Sequence, residues 1–482
     1  MDIKSLTEIK SKAGKGFLVL ILRYGFCFVL NFAGSVILVR RLGAEIWGQY
    51  ALSNFFLISF VQITHGLWGY ILQRPAAPEA QLRTCFSIQQ LLSLGWAAVI
   101  IILIAPWAAL HFGGANIGLM LMGSAVGGYF FSWRWLVSAW QERKMDYLGV
   151  GMSEVIDALV FNLTAVILAL RGQGIWGIAL GNALRGIASA LYLQLRSRAP
   201  LGFRFNWPDF KEIIKFGLPF GIYNSLSWLP TQALPILVGV FLGPAALGFV
   251  SLAYRIMEYP RVLVTLSVRI STSYYSRLAG DLEAFRKEMQ QGLDHLLFLL
   301  AFSITILAGL GLYWVPLVYG PRWRLSAVIM MIIAVPFVVN GCLSFLSASL
   351  SARGKVNRVA LAQVVYNLVF WGTALILIPH LKDFGLPVSE WVALPFALLL
   401  LVFVVRDSGA LPLPRYLSRL LLSTVAIASP GALFYYGHTC WAFLTFGAFL
   451  LIWLLSGFRQ LGYLIKYATA LPGSPGQSNH GN

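Results

Sequence analysis

Charged side chains set inside long apolar runs are the residues of this 482-residue chain whose types and spacing could do chemistry. Arg255, Glu258 and Arg261 recur at i, i+3 and i+6, which on one helix places them along a single broad face. Glu258 can bridge the two guanidinium groups and leave one net positive charge. Such a triad suits either a self-neutralised structural cluster or the binding of an anionic, phosphate-type group by charge-assisted hydrogen bonds. Glu154 and Asp157 stand at i, i+3 in another run. Counted from Tyr147 at ~1.5 Å per residue, Asp157 lies about 15 Å in, near a bilayer midplane. An acid at that depth calls for a proton, a sodium ion or a cationic partner such as Arg185. Arg23 and Arg134 complete the set. Both are shallow enough to snorkel, and Arg134, between Trp133 and Trp135, reads as an interfacial anchor. His65 with Gln62 reads as a hydrogen-bonded packing pair. Each charge buried in a span costs roughly 2.5–3.5 kcal/mol on insertion scales, so each needs a reason.

The elements that must position these groups are apolar helices. Hydrophobic residues make up 58% of the chain and charged residues 11%, with a mean hydropathy of +0.75, which excludes an ordinary soluble protein. Runs long enough to cross ~30 Å of hydrocarbon fall near 16–39, 47–73, 85–110, 117–140, 148–170 and 174–195. They resume near 216–240, 246–270, 293–318, 325–350, 358–379 and 388–405, and two more lie near 415–436 and 439–457. The expected fold is therefore all-α and integral to the membrane, with about 14 transmembrane helices. The first helix reads as a retained anchor, since its apolar stretch exceeds a signal h-region. The four cysteines lie far apart with no metal-ligand spacing and read as small packing residues.

The runs are duplicated. VILVRRLGAEIWGQYAL (36–52) and ILVGVFLGPAALGFVSL (236–252) match in register, pairing Leu42-Gly43 with Leu242-Gly243 and Gly48 with Gly248. SEVIDALVFNLTAVIL (153–168) and AQVVYNLVFWGTALIL (362–377) match in the same order. A long internal repeat in an apolar chain points to a secondary transporter of two repeated lobes. The expected organisation is a six-helix lobe over 1–196, an amphipathic linker over 197–215, and a second six-helix lobe over 216–406. Two extra helices over 407–458 and a cytoplasmic tail over 459–482 complete it. The second copy lies six helices after the first, so the lobes are parallel repeats. Phe55, Ile58 and Val61 stand where the repeat has Arg255, Glu258 and Arg261, so scaffold alone does not demand those charges. Pro219, Pro230 and Pro235 in the seventh run predict a bent helix.

The formal charge of +18 does not imply nucleic acid. With the N-terminus placed inside, most of the 36 lysines and arginines fall on the inner side, as the positive-inside rule requires, and both termini are cytoplasmic. No phosphate-cradling loop, nucleophile elbow or zinc motif is present, so an enzyme is not expected, and no cofactor is called for.

Four segments carry a family resemblance: RRLGAEIWGQYAL, KFGLPFGIYNSL, LGPAALGFVSLAYRI and YGPRW. They resemble the oligosaccharide-lipid flippases, the polysaccharide transporters of the multidrug/oligosaccharidyl-lipid/polysaccharide (MOP) exporter superfamily, over residues 10–460. The resemblance implies a polyprenyl-pyrophosphate-linked oligosaccharide, such as an O-antigen or exopolysaccharide repeat unit, moved from inner to outer leaflet of a bacterial cytoplasmic membrane. The head group would cross a cationic cavity by alternating access. Arg23, Arg185, Arg255, Glu258 and Arg261 would bind substrate, Glu154 and Asp157 would couple an ion, and a polymerase and assembly proteins would be partners beside the membrane lipids. A drug/cation antiporter of the same superfamily would want acids in excess, whereas arginines outnumber acids within these spans. A membrane polysaccharide polymerase would need a larger extramembrane loop than the connection near 380–388.

Overall fold

Apolar runs broken only by turn-forming residues leave the backbone one way to satisfy itself in hydrocarbon, the helix. The computed structural model describes residues 3–73, 78–112, 114–144, 146–199, 202–277, 281–408 and 413–456, and among them there is no strand. In chain order the helices are α1 (Ile3–Gln73), α2 (Glu79–Val99), α3 (Ala105–His111), α4 (Ala115–Arg143), α5 (Tyr147–Leu170) and α6 (Gly174–Ser197). Then come α7 (Trp207–Gln232), α8 (Leu234–Leu242), α9 (Pro244–Met257), α10 (Arg261–Arg277), α11 (Leu282–Gly309) and α12 (Gly311–Tyr319). The last are α13 (Arg324–Ala352), α14 (Val356–Leu381), α15 (Gly385–Ser408), α16 (Leu413–Tyr435) and α17 (Thr439–Ser456). Each of the 14 apolar runs falls on one or two of these helices. Among the described residues seven segments are long and apolar enough to cross a membrane, and two of them, Gly25–Leu72 and Asn357–Val404, have 48 residues. At ~1.5 Å per residue, 48 residues reach about 72 Å, enough for two crossings of a ~30 Å core.

The ends follow local chemistry. Asp146 caps α5 by accepting from the Gly149 amide, and Asp281 caps α11 by accepting from Glu283 and Ala284. α1 is divided by a single residue, Gly43, at φ 82°, ψ 174°. Its repeat counterpart Gly243, between α8 and α9, adopts φ 82°, ψ 177°. The duplication seen in the letters is thus a duplication of backbone geometry, and only glycine adopts it without strain.

Two compact units emerge. The first holds the residues up to Ala253 with Val318–Trp323 and Trp371–Leu386. The second holds Tyr254–Leu317, Arg324–Phe370 and the described residues from Pro387 on. In the first unit α4 and α6 cross where Gly127 and Gly186 have no room for a side chain: a Cβ at either would strike the backbone of the other helix. A polar seam joins α2 to α4, with Gln89 donating to Ser132 (2.8 Å) and Ser93 sharing a 2.8 Å bond with Ser132. An apolar cluster of Leu67, Tyr70, Cys85, Phe86, Leu136 and Ile213 packs α1, α2, α4 and α7 together. In the second unit Arg419 on α16 meets Asp294 on α11 at 3.6 Å, both well buried.

Two expectations change. The eighth run is not one helix: it stops at Met257, passes through a turn at Glu258–Pro260 and restarts at Arg261, because Pro260 cannot donate the bond that would continue it. The seventh run breaks at Ala233, just before Pro235, while the backbone stays helical through Pro219 and Pro230. The tail after 459 lies outside the described residues.

Candidate functional site

In the first unit, α1 and α5 bring charged side chains together that lie over a hundred residues apart in sequence. Arg23 Nη1 sits 2.6 Å from Glu154 Oε2, with Arg23 8% exposed and Glu154 39%. One turn on, Cys27 Sγ lies 4.0 Å from the Glu154 carbonyl, and Arg23, Arg134, Glu154 and Asp157 all lie within electrostatic reach of that thiol. Two cations and two carboxylates therefore gather at one level. Asp157 Oδ1 is buried and accepts no hydrogen bond. The seam continues a turn further, where Asn162 donates to Asn31 (2.9 Å).

Arg134 and Arg185 depart from their sequence-based placement. Arg134 is 6% exposed and stacks 4.3 Å over Phe131, with Nη1 lacking a hydrogen-bond partner. Burial rather than a snorkelling anchor describes it. Arg185 is not the partner of the α5 acids, since Glu154 has Arg23. Instead its Nη2 donates to Asn54 Oδ1 at 3.1 Å, its guanidinium lies 4.8 Å over the Phe161 ring, and its buried Nε has no partner. His65 is likewise no simple hydrogen-bonded pair. Its ring stacks on Phe220 and lies tilted against Trp68 and Trp135, and Nδ1 is buried without a partner.

In the second unit, the interrupted helix distributes the triad over three settings: Arg255 in the last turn of α9, Glu258 in the turn, Arg261 opening α10. Arg261 Nη1 meets Glu258 Oε1 at 2.6 Å with the side chains 43% and 45% exposed. A half-exposed i, i+3 pair contributes at most about 1 kcal/mol. Glu258→Gln is therefore expected to change thermal stability little, with a melting shift of about 3 °C or less, read by thermal unfolding of the purified protein.

Glu390 escaped the sequence reading. Six residues into α15 it resembles an ordinary interfacial acid, yet it is 8% exposed and accepts a 2.6 Å hydrogen bond from Tyr254 Oη. Tyr366, which takes the Asn340 amide at 3.1 Å, lies within electrostatic reach of it. Tyr366 is the repeat counterpart of Asp157, so where the first unit keeps its carboxylates on α5, the second takes one from α15. The one available signal was an acid lying inside an apolar run.

Three of the four family-like segments, RRLGAEIWGQYAL, LGPAALGFVSLAYRI and YGPRW, also meet. Arg322 of YGPRW donates to the Val39 carbonyl (3.4 Å) and to that of Arg40, capping α1 just before the Gly43 break. Arg40 Nε returns a hydrogen bond, at 2.5 Å, to Val318. Trp323 is fully buried, its ring edge-on to Phe249 of LGPAALGFVSL. Gly48 and Gly248 cross so closely that a Cβ on the first would run into the Pro244 carbonyl and one on the second into the Ala44 carbonyl. These contacts are reciprocal: 44 and 48 against their repeat mates 244 and 248.

The fold of this kinked, duplicated all-helical chain is similar to those of solved membrane transporters. The chain is similar to a lipid II flippase, MurJ, in an inward closed conformation (TM-score 0.72, 16% identity, 92% of this chain and 99% of that one). It is also similar to multidrug resistance MATE family transporters of the MOP superfamily. An inward-facing one gives a TM-score of 0.63 at 14% identity, with coverage of 83% and 98%, and an outward-facing one gives 0.55 at 14%, with 82% and 95%. Residues 37–328 match the polysaccharide biosynthesis protein family, and the chain belongs to that family. No curated protein matches the sequence.

Proposed function

We propose that this protein flips a polyprenyl-pyrophosphate-linked oligosaccharide from the inner to the outer leaflet of a bacterial cytoplasmic membrane, by alternating access, to supply surface polysaccharide synthesis. The observation that carries this reading is a pair of guanidinium groups held by rings rather than by ion pairs: Arg134 and Arg185 rest on aromatic rings, and Arg134 Nη1 and Arg185 Nε are buried without a hydrogen-bond partner. An unpaired buried guanidinium is retained at a cost of several kcal/mol, and an anionic ligand would offset it. Arg23, Arg185, Arg255, Glu258 and Arg261 would contact the pyrophosphate and first sugars. Glu154, Asp157 and the buried Glu390 would couple movement to a proton or sodium ion. The repeated lobes 1–196 and 216–406 would be the moving parts, both termini would face the cytoplasm, and polymerase and assembly proteins would act on the product.

The rival antiporter reading has less support, because a cationic drug would be repelled by these arginines. Deletion of the gene separates the two. Lipid-linked repeat units are expected to accumulate on the inner leaflet while surface polysaccharide disappears. Normal polysaccharide with new sensitivity to cationic drugs would favour the antiporter. In a complemented strain, Arg185→Gln is expected to lower surface polysaccharide at least tenfold at unchanged protein abundance, since the lost contacts are to a neutral amide and a ring. Unchanged export in Arg185→Gln would remove Arg185 from the substrate path.

A further inference from the structure

The start of α7 and the segment before it sort charge in a way the transport reading does not use. Trp207, Lys211, Lys215, Leu218 and Ile222 follow one another at spacings of four, four, three and four residues, all exposed, within one narrow arc of the helix. The stripe changes character along its length. Its first two turns carry an indole and two ammonium groups, with Lys211 Nζ 5.6 Å over the Trp207 ring. Its next two turns are aliphatic. The acids of the same helix point elsewhere: Gln81, itself bonded to Tyr70, donates to Asp209 (3.4 Å) and Glu212 (3.0 Å). Cations therefore stand on the open face and carboxylates on the packed one.

The preceding segment extends the cationic end and is held rigidly. Ser87 Oγ accepts from the Arg204 amide and donates to the Arg204 carbonyl, each at 2.9 Å, so one serine of α2 fixes both backbone groups. Phe203 packs on Phe86 at 5.7 Å yet remains 81% exposed, and Phe205 lies 5.4 Å from Phe210 while 55% exposed. Ordering large aromatic rings toward the outside is unfavourable in water. At a membrane interface it is favourable, since the rings then sit at headgroup level.

We propose that Arg204, Lys211 and Lys215, with Phe203, Phe205, Trp207, Leu218 and Ile222, form a binding site for one anionic phospholipid. The cations take the headgroup phosphate and the aliphatic turns take the upper acyl chain. From Trp207 to Ile222 the stripe rises about 22 Å, which spans the headgroup layer and roughly half a hydrocarbon core. Net negative charge is required of the lipid because three cations meet no acid on this face, and each basic residue near an anionic surface is worth about fivefold in affinity. The site holds the segment leading into α7, whose Gly217 packs against Gly66 of α1.

Native mass spectrometry of the full-length protein, titrated with phosphatidylglycerol and with phosphatidylcholine, tests the proposal. Wild type is expected to retain phosphatidylglycerol in preference. The triple variant Arg204→Gln, Lys211→Gln, Lys215→Gln should lose that preference by roughly 100-fold while binding phosphatidylcholine as before. Leu218→Ser with Ile222→Ser should weaken both lipids. The single variant Lys211→Gln, at an exposed position, should lose about fivefold and keeps the test open if the triple variant does not fold. Equal retention of the two lipids by wild type, or an undiminished preference in the triple variant, would overturn the site. Displacement of phosphatidylglycerol by inorganic phosphate would overturn it too, since the cations would then hold a free ion.

Discussion

Gly48→Ala and Gly248→Ala are expected to lose most of their folded protein, although each adds only one methyl group. Replacing glycine by alanine inside a helix ordinarily stabilises by about 0.5–1 kcal/mol. Here the methyl has nowhere to go. At Gly48 it would lie 2.8 Å from the Gly248 amide nitrogen and closer still to the Pro244 carbonyl, and backbone cannot rotate aside as a side chain can. Overpacking of this kind costs about 1–3 kcal/mol, and the absence of a yielding side chain places both variants at the upper end. Gly95→Ala is the control, with nothing within 4 Å of its added methyl. Its melting temperature should hold or rise while those of the other two fall. Melting of all three in one detergent decides the matter, and a Gly48→Ala protein as stable as Gly95→Ala would mean that the crossing opens in solution.

That crossing also shows what the chain discloses of itself. The apolar runs and the repeat are local or periodic properties, so the helices, the two glycine breaks and the pairing of 43 with 243 could be read directly. The matching backbone angles, within 3° of each other, follow from the same letters. Interruptions were harder to read. Regular spacing placed Arg255, Glu258 and Arg261 on one face, and only Pro260, two residues beyond the acid, warned that hydrogen bonding would fail there. Long-range partners were not legible at all. Nothing local distinguishes Arg23 from Arg185 as the partner of Glu154, because the choice depends on how α1 and α6 pack on α5. Burial of Glu390 depends in the same way on Tyr254, which lies 136 residues away in sequence. Hydropathy measures what surrounds a residue along the chain, and the site depends on what surrounds it in space.

The two acids of α5 should separate sharply on mutation, although they stand one turn apart. Glu154 holds Arg23, whose guanidinium is almost wholly enclosed. Glu154→Gln leaves that cation without its carboxylate. Breaking a fully buried pair costs about 3–5 kcal/mol, and the partial exposure of Glu154 lowers the expectation to about 2–3 kcal/mol. Protein abundance should therefore fall several-fold, read by quantifying the protein in the membrane fraction. Asp157 offers the opposite case. Its Oδ1 accepts no hydrogen bond, so Asp157→Asn removes a charge and no contact of that oxygen. Folding should be unaffected or improved, because a carboxylate with one oxygen buried and unpartnered gives way to a neutral amide of the same shape. If Asp157 carries the coupled ion, export by Asp157→Asn should drop at least tenfold and what remains should no longer respond to a proton or sodium gradient in proteoliposomes. Full gradient-driven transport in Asp157→Asn would exclude this acid, leaving Glu390, enclosed by Tyr254, as the group to replace next.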